Sequence, residues 1–172
     1  KPDPPSISIE SRVVKVNEKT VTIEEQPAPM QYGDIVTIQI RIKNNGLGSG
    51  YAKKVTSTIA DGMEYIEDNE INKANGWKLD GKKITTSKYS YETDINNELY
   101  PKRYEYEENH EEDTEEKEEE KPELNTGVQK LQLVLKVTKN DKTHDKLLSQ
   151  IVVEQQDKRG DTVEYTKEDE ET

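Results

Sequence analysis

The feature that most constrains this chain is the run Ile35-Val36-Thr37-Ile38-Gln39-Ile40-Arg41-Ile42, in which a β-branched aliphatic residue recurs at every second position from Val36. Thr37, Gln39 and Arg41 fall on the opposite side. A period of two over this length belongs to a strand with one face on a core and one in water, and is incompatible with an amphipathic helix. The run begins after Gly33-Asp34 and ends at Asn44-Asn45-Gly46, residues suited to turns.

The same pattern returns along the chain. Ile7 and Ile9, then Val14 and Val16, read as one strand with a phase change near Ser11. Thr20–Glu25 repeats it through Val21 and Ile23. Gln26–Asp34 reads as loop, because Pro27 and Pro29 exclude a central strand. Val55 and Ile59 mark a strand over residues 53–59, and Met63, Tyr65 and Ile66 another. Trp77, Leu79 and Ile84 flank Asp80-Gly81, a hairpin signal. Tyr89 and Tyr91 share a face. Leu131, Leu133, Leu135 and Val137 alternate, Leu148 and Ile151–Val153 follow, and Asp157–Tyr165 reads as a turn and a short strand. Eight or nine short strands without a helical period of any length predict an all-β antiparallel sandwich.

Composition supports thin sheets. Only 29% of the 172 residues are hydrophobic, with no Phe and a single Trp, well below ordinary globular domains. Sheets that bury one residue in two remain feasible on that supply. The charge of −12 is concentrated: Glu105–Glu123 holds twelve acids and two lysines in nineteen positions, a local net of −10. The rest carries 25 acids and 23 bases. Such a tract self-repels, and the expectation is a mostly solvated insertion, residues 103–125, between two strands. It could gather Ca²⁺ loosely through its oxygens, but the spacing of a dedicated calcium loop is absent. Residues 1–5 read as a Pro-rich linker, 6–165 as a single domain, and 166–172 as an acidic tail.

Function classes fall away in turn. The nearly neutral body shows no basic stripe for nucleic acid along the sequence. With no cysteine, thiolate catalysis, disulfides and Cys-type zinc sites are excluded. His110 and His144 lie far apart in polar stretches. There is no nucleophile elbow and no phosphate-cradling glycine loop. No apolar run is long enough to span a membrane, and none resembles a signal peptide; Lys1 in place of Met reads as an excised or mature piece. No catalytic, cofactor or metal residue is therefore assigned. Gly33-Asp34 and Asp157/Asp161 read as turns before they read as cation ligands. Trp77 reads as core filling, and Tyr100, Tyr104 and Tyr106 as strand-type tyrosines or an adhesive surface.

Residues 33–66, through "GDIVTIQIRIKNNG", "YAKKVT" and "STIADGMEY", resemble the DUF11-type immunoglobulin-like repeat of bacterial surface proteins, which is similar to Ig-like domains of Gram-positive adhesins and pilins. "LQLVLKVTKN" and "LLSQIVVEQQD" resemble its late strands, so the likeness spans roughly residues 6–158. It implies an Ig-like sandwich on a bacterial surface or secreted protein, non-enzymatic, acting as spacer or assembly subunit beside neighbouring domains or copies of itself. The alternative it implies is an adhesin-type domain that binds a host protein or glycan through loops or tyrosines. A third reading is a calcium-buffering soluble domain. Some relatives carry an intramolecular isopeptide bond between a first-strand Lys and a late-strand Asn, promoted by a carboxylate. The matching positions here are Lys15, Gln150 and Ser57. Two of the three roles are altered, so no such bond is expected.

Overall fold

The computed structural model describes residues 3–101, 127–139 and 147–163. The acidic tract, His110, His144, Tyr104, Tyr106 and the tail lie outside the described residues. Ten strands form two antiparallel sheets: β1 (Ile7–Val16), β2 (Lys19–Thr20), β3 (Ile35–Asn44), β4 (Gly50–Ile59), β5 (Met63–Tyr65), β6 (Lys78–Asp80), β7 (Lys83–Thr86), β8 (Val128–Val137), β9 (Leu148–Asp157) and β10 (Thr162–Val163). One sheet runs β2-β1-β3-β8-β5 and the other β10-β9-β4-β7-β6. The orders β1-β3-β8-β5 and β10-β9-β4 are those of the ABED and GFC sheets of an immunoglobulin sandwich. The β6–β7 hairpin extends the second sheet beyond β4.

The alternation at 36–42 does what its period requires. Val36, Ile40 and Ile42 are fully buried and Ile38 is 2% exposed. Leu131, Leu133 and Leu135 oppose them in register on β8. Facing residues from β4, β7 and β9, among them Val55, Ile84 and Ile151, close the core. Each such side chain contributes about 1.5–3 kcal/mol, an upper figure because the unfolded chain already hides some apolar surface. Trp77 fills core space, as its isolation in a chain without Phe implied.

Several local expectations are corrected. The phase change in β1 falls at a bulge between Val13 and Lys15, past Ser11. The second strand stops at Thr20, and Val21–Ile23 does not continue it. There Glu25 reaches back to the Thr22 amide at 2.8 Å, and residues 23–25 wind into a 3₁₀ turn that leaves Ile23 66% exposed. The capping hydrogen bonds outcompete a short strand of modest apolar content. The hairpin loop is Gly81–Lys82 instead of Asp80-Gly81, because Asp80 pairs with Lys83 and Gly81 takes the positive φ of 65°; Leu79 is 38% exposed. Tyr89 and Tyr91 lie in turns held by Ser90 and Thr93, with no strand between them. β4 starts at Gly50, ahead of the expected residue 53.

One short helix exists where none was expected: α1, Glu70–Ala74. Asn69 caps it by accepting from the Ile71 and Asn72 amides at 2.9 and 3.1 Å. Gly76, at φ 72°, ends it. Five residues are too few to show a hydrophobic period.

Candidate functional site

Two polar seams distinguish this sandwich, the first built from side-chain amides and the second from amides together with an indole and a phenol. The first lies where β1 enters. Asn44 continues the inward series of β3 and is 2% exposed. Its oxygen accepts from the Ser6 and Gly46 amides (3.1 and 2.9 Å), and its nitrogen donates to the Gly48 and Leu99 carbonyls (2.9 and 3.0 Å). Gln155, inward on β9, accepts from the Ile7 amide at 2.8 Å and donates to the Pro5 carbonyl at 3.2 Å. The amide of one sheet thus holds the first strand of the other. Glycine lets the chains approach: a Cβ on Gly50 would sit 2.3 Å from the Gln156 carbonyl and 2.6 Å from the Pro5 ring. Residues 4–6 are accordingly docked on the 44–50 loop.

Gln156, the next residue of β9, points to the opposite face of its sheet, beside Tyr51 and under the 91–95 loop. It is fully buried, accepts from the Tyr91 amide at 3.0 Å, and donates to the Glu92 carboxylate and the Gly160 carbonyl. The Gln156 amide, with lesser help from the Glu92 backbone, holds the Glu92 carboxyl below the usual range. Tyr51 packs edge-on against Tyr91, centroids 5.3 Å apart, and donates to the Ile95 carbonyl at 2.7 Å. Burial, seconded by the charge of Glu98, pushes the Tyr51 phenol up to about 12.

The second seam runs along the outer edge of β8, where β5 pairs only with residues 135–137. Beyond that point side chains replace a strand. Asn72 accepts from the Val134 amide at 2.8 Å and donates to the Val134 and Ile66 carbonyls at 2.9 Å each. Asn75 accepts from the Gln132 amide at 3.1 Å, the Trp77 indole donates to the Gln132 carbonyl at 2.8 Å, and Tyr89 donates to the Lys130 carbonyl at 2.7 Å. Backbone groups at an edge must find partners. Here α1 and its flanks supply them in the order of the strand.

Neither seam holds a nucleophile beside a base. Asn, Gln and Tyr at ordinary pH exchange no protons, and each is engaged with backbone. Among the described residues no group of three or more His, Cys, Asp or Glu converges as a metal site.

The residues weighed from sequence are placed as follows. Lys15 is exposed near the end of β1. Ser57 is fully buried on β4, in the other sheet, and its hydroxyl has no hydrogen-bond partner. Gln150 is exposed on β9. The three are not brought together. Asp34 accepts from the Gln31 amide and the Asn17 side chain, and Asp157 from the amides of Arg159 and Asp161, so both are turn-closing carboxylates. Sequence reasoning missed Asn44, Gln155, Gln156, Asn72 and Asn75. A signal existed for the first two, since a polar residue at the next inward position of an apolar series marks a buried amide. None existed for Asn72, whose partner is 62 residues away. No protein-family model, curated protein or solved structure matches the chain.

Proposed function

We propose that this domain is a non-enzymatic structural module of a bacterial cell-surface or secreted protein, acting as spacer or assembly subunit between neighbouring domains or copies of itself. The likeness of residues 33–66 to DUF11-type Ig-like repeats motivates the setting. The observation that carries the reading is how the chain passes through the sandwich. β1 enters at the Asn44–Gln155 seam, and β10 starts beside the same seam, pairing Thr162 with Gln156 and Val163 with Gln155, and runs away from it. Entry at one pole with a last described strand heading for the other is the path an in-line array requires. The seam then couples the entering segment to both sheets, so load applied there is shared by β3, β4 and β9.

Stretching single molecules between Pro5 and Val163 tests this. A spacer releases in one cooperative step. Early peeling of β1 at low force, ahead of the rest, overturns the reading. The alternative, a domain that binds a protein or glycan ligand, has one observation in its favour. Leu47 and Ile95, 52% and 60% exposed, project from the two entry-pole loops that Asn44 ties together. Saturable retention of a ligand that is lost on Leu47→Ser with Ile95→Ser would favour that reading.

A further inference from the structure

The register of β1, β3 and β8 gathers on one outward face what the sequence disperses. Arg41 stands between Glu10 and Lys130, Lys43 stands beside Val128 in the next row, and Arg12 occupies the row on the other side. Four bases face one acid, in a body whose charges otherwise nearly cancel. Glu10 is shared between Arg41 (3.6 Å) and Lys43 (3.8 Å), so most of the positive charge is left over. Neighbouring strands lie about 4.8 Å apart, so the four charges sit close together on an even surface. Further along, α1 packs on β8 at Val134; Arg12 is half-buried and donates to the Val21 carbonyl at 3.3 Å, while Arg41, Lys43 and Lys130 reach solvent.

The tract of net −10 joins the fold at the rim of this face. It leaves after Pro101 and returns at Gly127, whose carbonyl accepts from the Asn44 amide and whose next residue, Val128, is the cross-strand partner of Lys43. We propose that the basic face formed by Arg12, Arg41, Lys43 and Lys130 is the docking surface for the chain's own acidic tract, residues 105–123. Tethering puts the carboxylates at an effective concentration of about millimolar. The contacts are solvent-exposed ion pairs, so docking is weak, loose in register and removed by salt.

Acylation of lysines in the intact chain, mapped by mass spectrometry, tests this. At low salt Lys43 and Lys130 react roughly two- to fivefold more slowly than at high salt, the factor of an exposed ion pair. Lys78 and Lys83, exposed on the other sheet, show no such change. Replacing Glu115, Glu116, Glu118, Glu119 and Glu120 by Gln removes the protection without touching the sandwich. Equal reactivity of Lys43 and Lys130 under all conditions overturns the proposal. Protection that grows with protein concentration overturns it in favour of the tract of a second copy. Protection that appears only on adding a sulfated polysaccharide overturns it in favour of an external polyanion.

Discussion

Replacing Asn72 by Ala removes the groups that, among the described residues, satisfy the edge of β8 at Val134. Three hydrogen bonds of 2.8–2.9 Å are lost, and the side chain that makes them is fully buried. The Ile66 carbonyl is less deeply placed and can turn to water. The Val134 amide and carbonyl cannot, and each orphaned buried group costs about 1–3 kcal/mol. A loss of about 2–6 kcal/mol follows, a large part of the 5–15 kcal/mol that stabilises an ordinary domain. Asn72→Asp is a sharper probe of the geometry. It keeps the acceptor for the Val134 amide but turns a carboxylate toward two carbonyl oxygens. The buried carboxyl then has a folded pKa above its unfolded value, so stability is retained below the unfolded pKa and lost as pH rises through the folded one. Urea unfolding followed by Trp77 fluorescence and by circular dichroism measures both variants, the indole reporting on the same edge through Gln132. Removing the helix cap with Asn69→Ala should cost only about 1 kcal/mol. An Asn72→Ala variant within about 0.5 kcal/mol of the parent, or an Asn72→Asp variant no weaker at neutral pH than at pH 4, would refute the idea that α1 stands in for a strand.

Four further outcomes are expected. Ser57→Ala should leave stability unchanged or raise it by about 1 kcal/mol in urea unfolding, because the buried hydroxyl it removes has no partner. Deleting Glu105–Glu120 and joining Tyr104 to Lys121 should leave the sandwich folded with a change near 1 kcal/mol, and micromolar calcium should not raise the melting temperature of the intact chain; a Cβ on Gly127 would stand 3.0 Å from the Tyr100 carbonyl, so the two ends already adjoin. Tyr51, raised to about 12, contributes stability fully present below its unfolded pKa of about 10 and lost as pH rises through the folded value; burial also raises the Tyr65 and Tyr89 phenols, so a spectrophotometric tyrosinate titration should show several late phenols, of which Tyr51→Phe removes one. Intact-mass spectrometry should show no deficit of about 17 or 18 Da, the mass that an isopeptide bond would expel.

What the sequence determined by itself is the fold class and most of the core. A β-branched residue at every second position from Val36 to Ile42, and leucine at 131, 133 and 135, left only a sheet buried on one face, because period two admits no other element. The same reading placed Trp77 in the core and kept Asp34 and Asp157 in turns, since those inferences rest on neighbours within a few residues. It failed where local hydrogen bonding competes with a weak pattern, as at Thr22–Glu25 and in the helix after Asn69. Tertiary structure alone decided the seams and the basic face. Asn72 and Val134 are 62 residues apart, and Gln155 meets Ile7 across 148. Arg12, Arg41 and Lys130 become neighbours only when three strands fall into register. Side-chain period dictates which way a residue points; which residue it then meets is set by the pairing of strands distant in the chain, and no short-range signal carries that information.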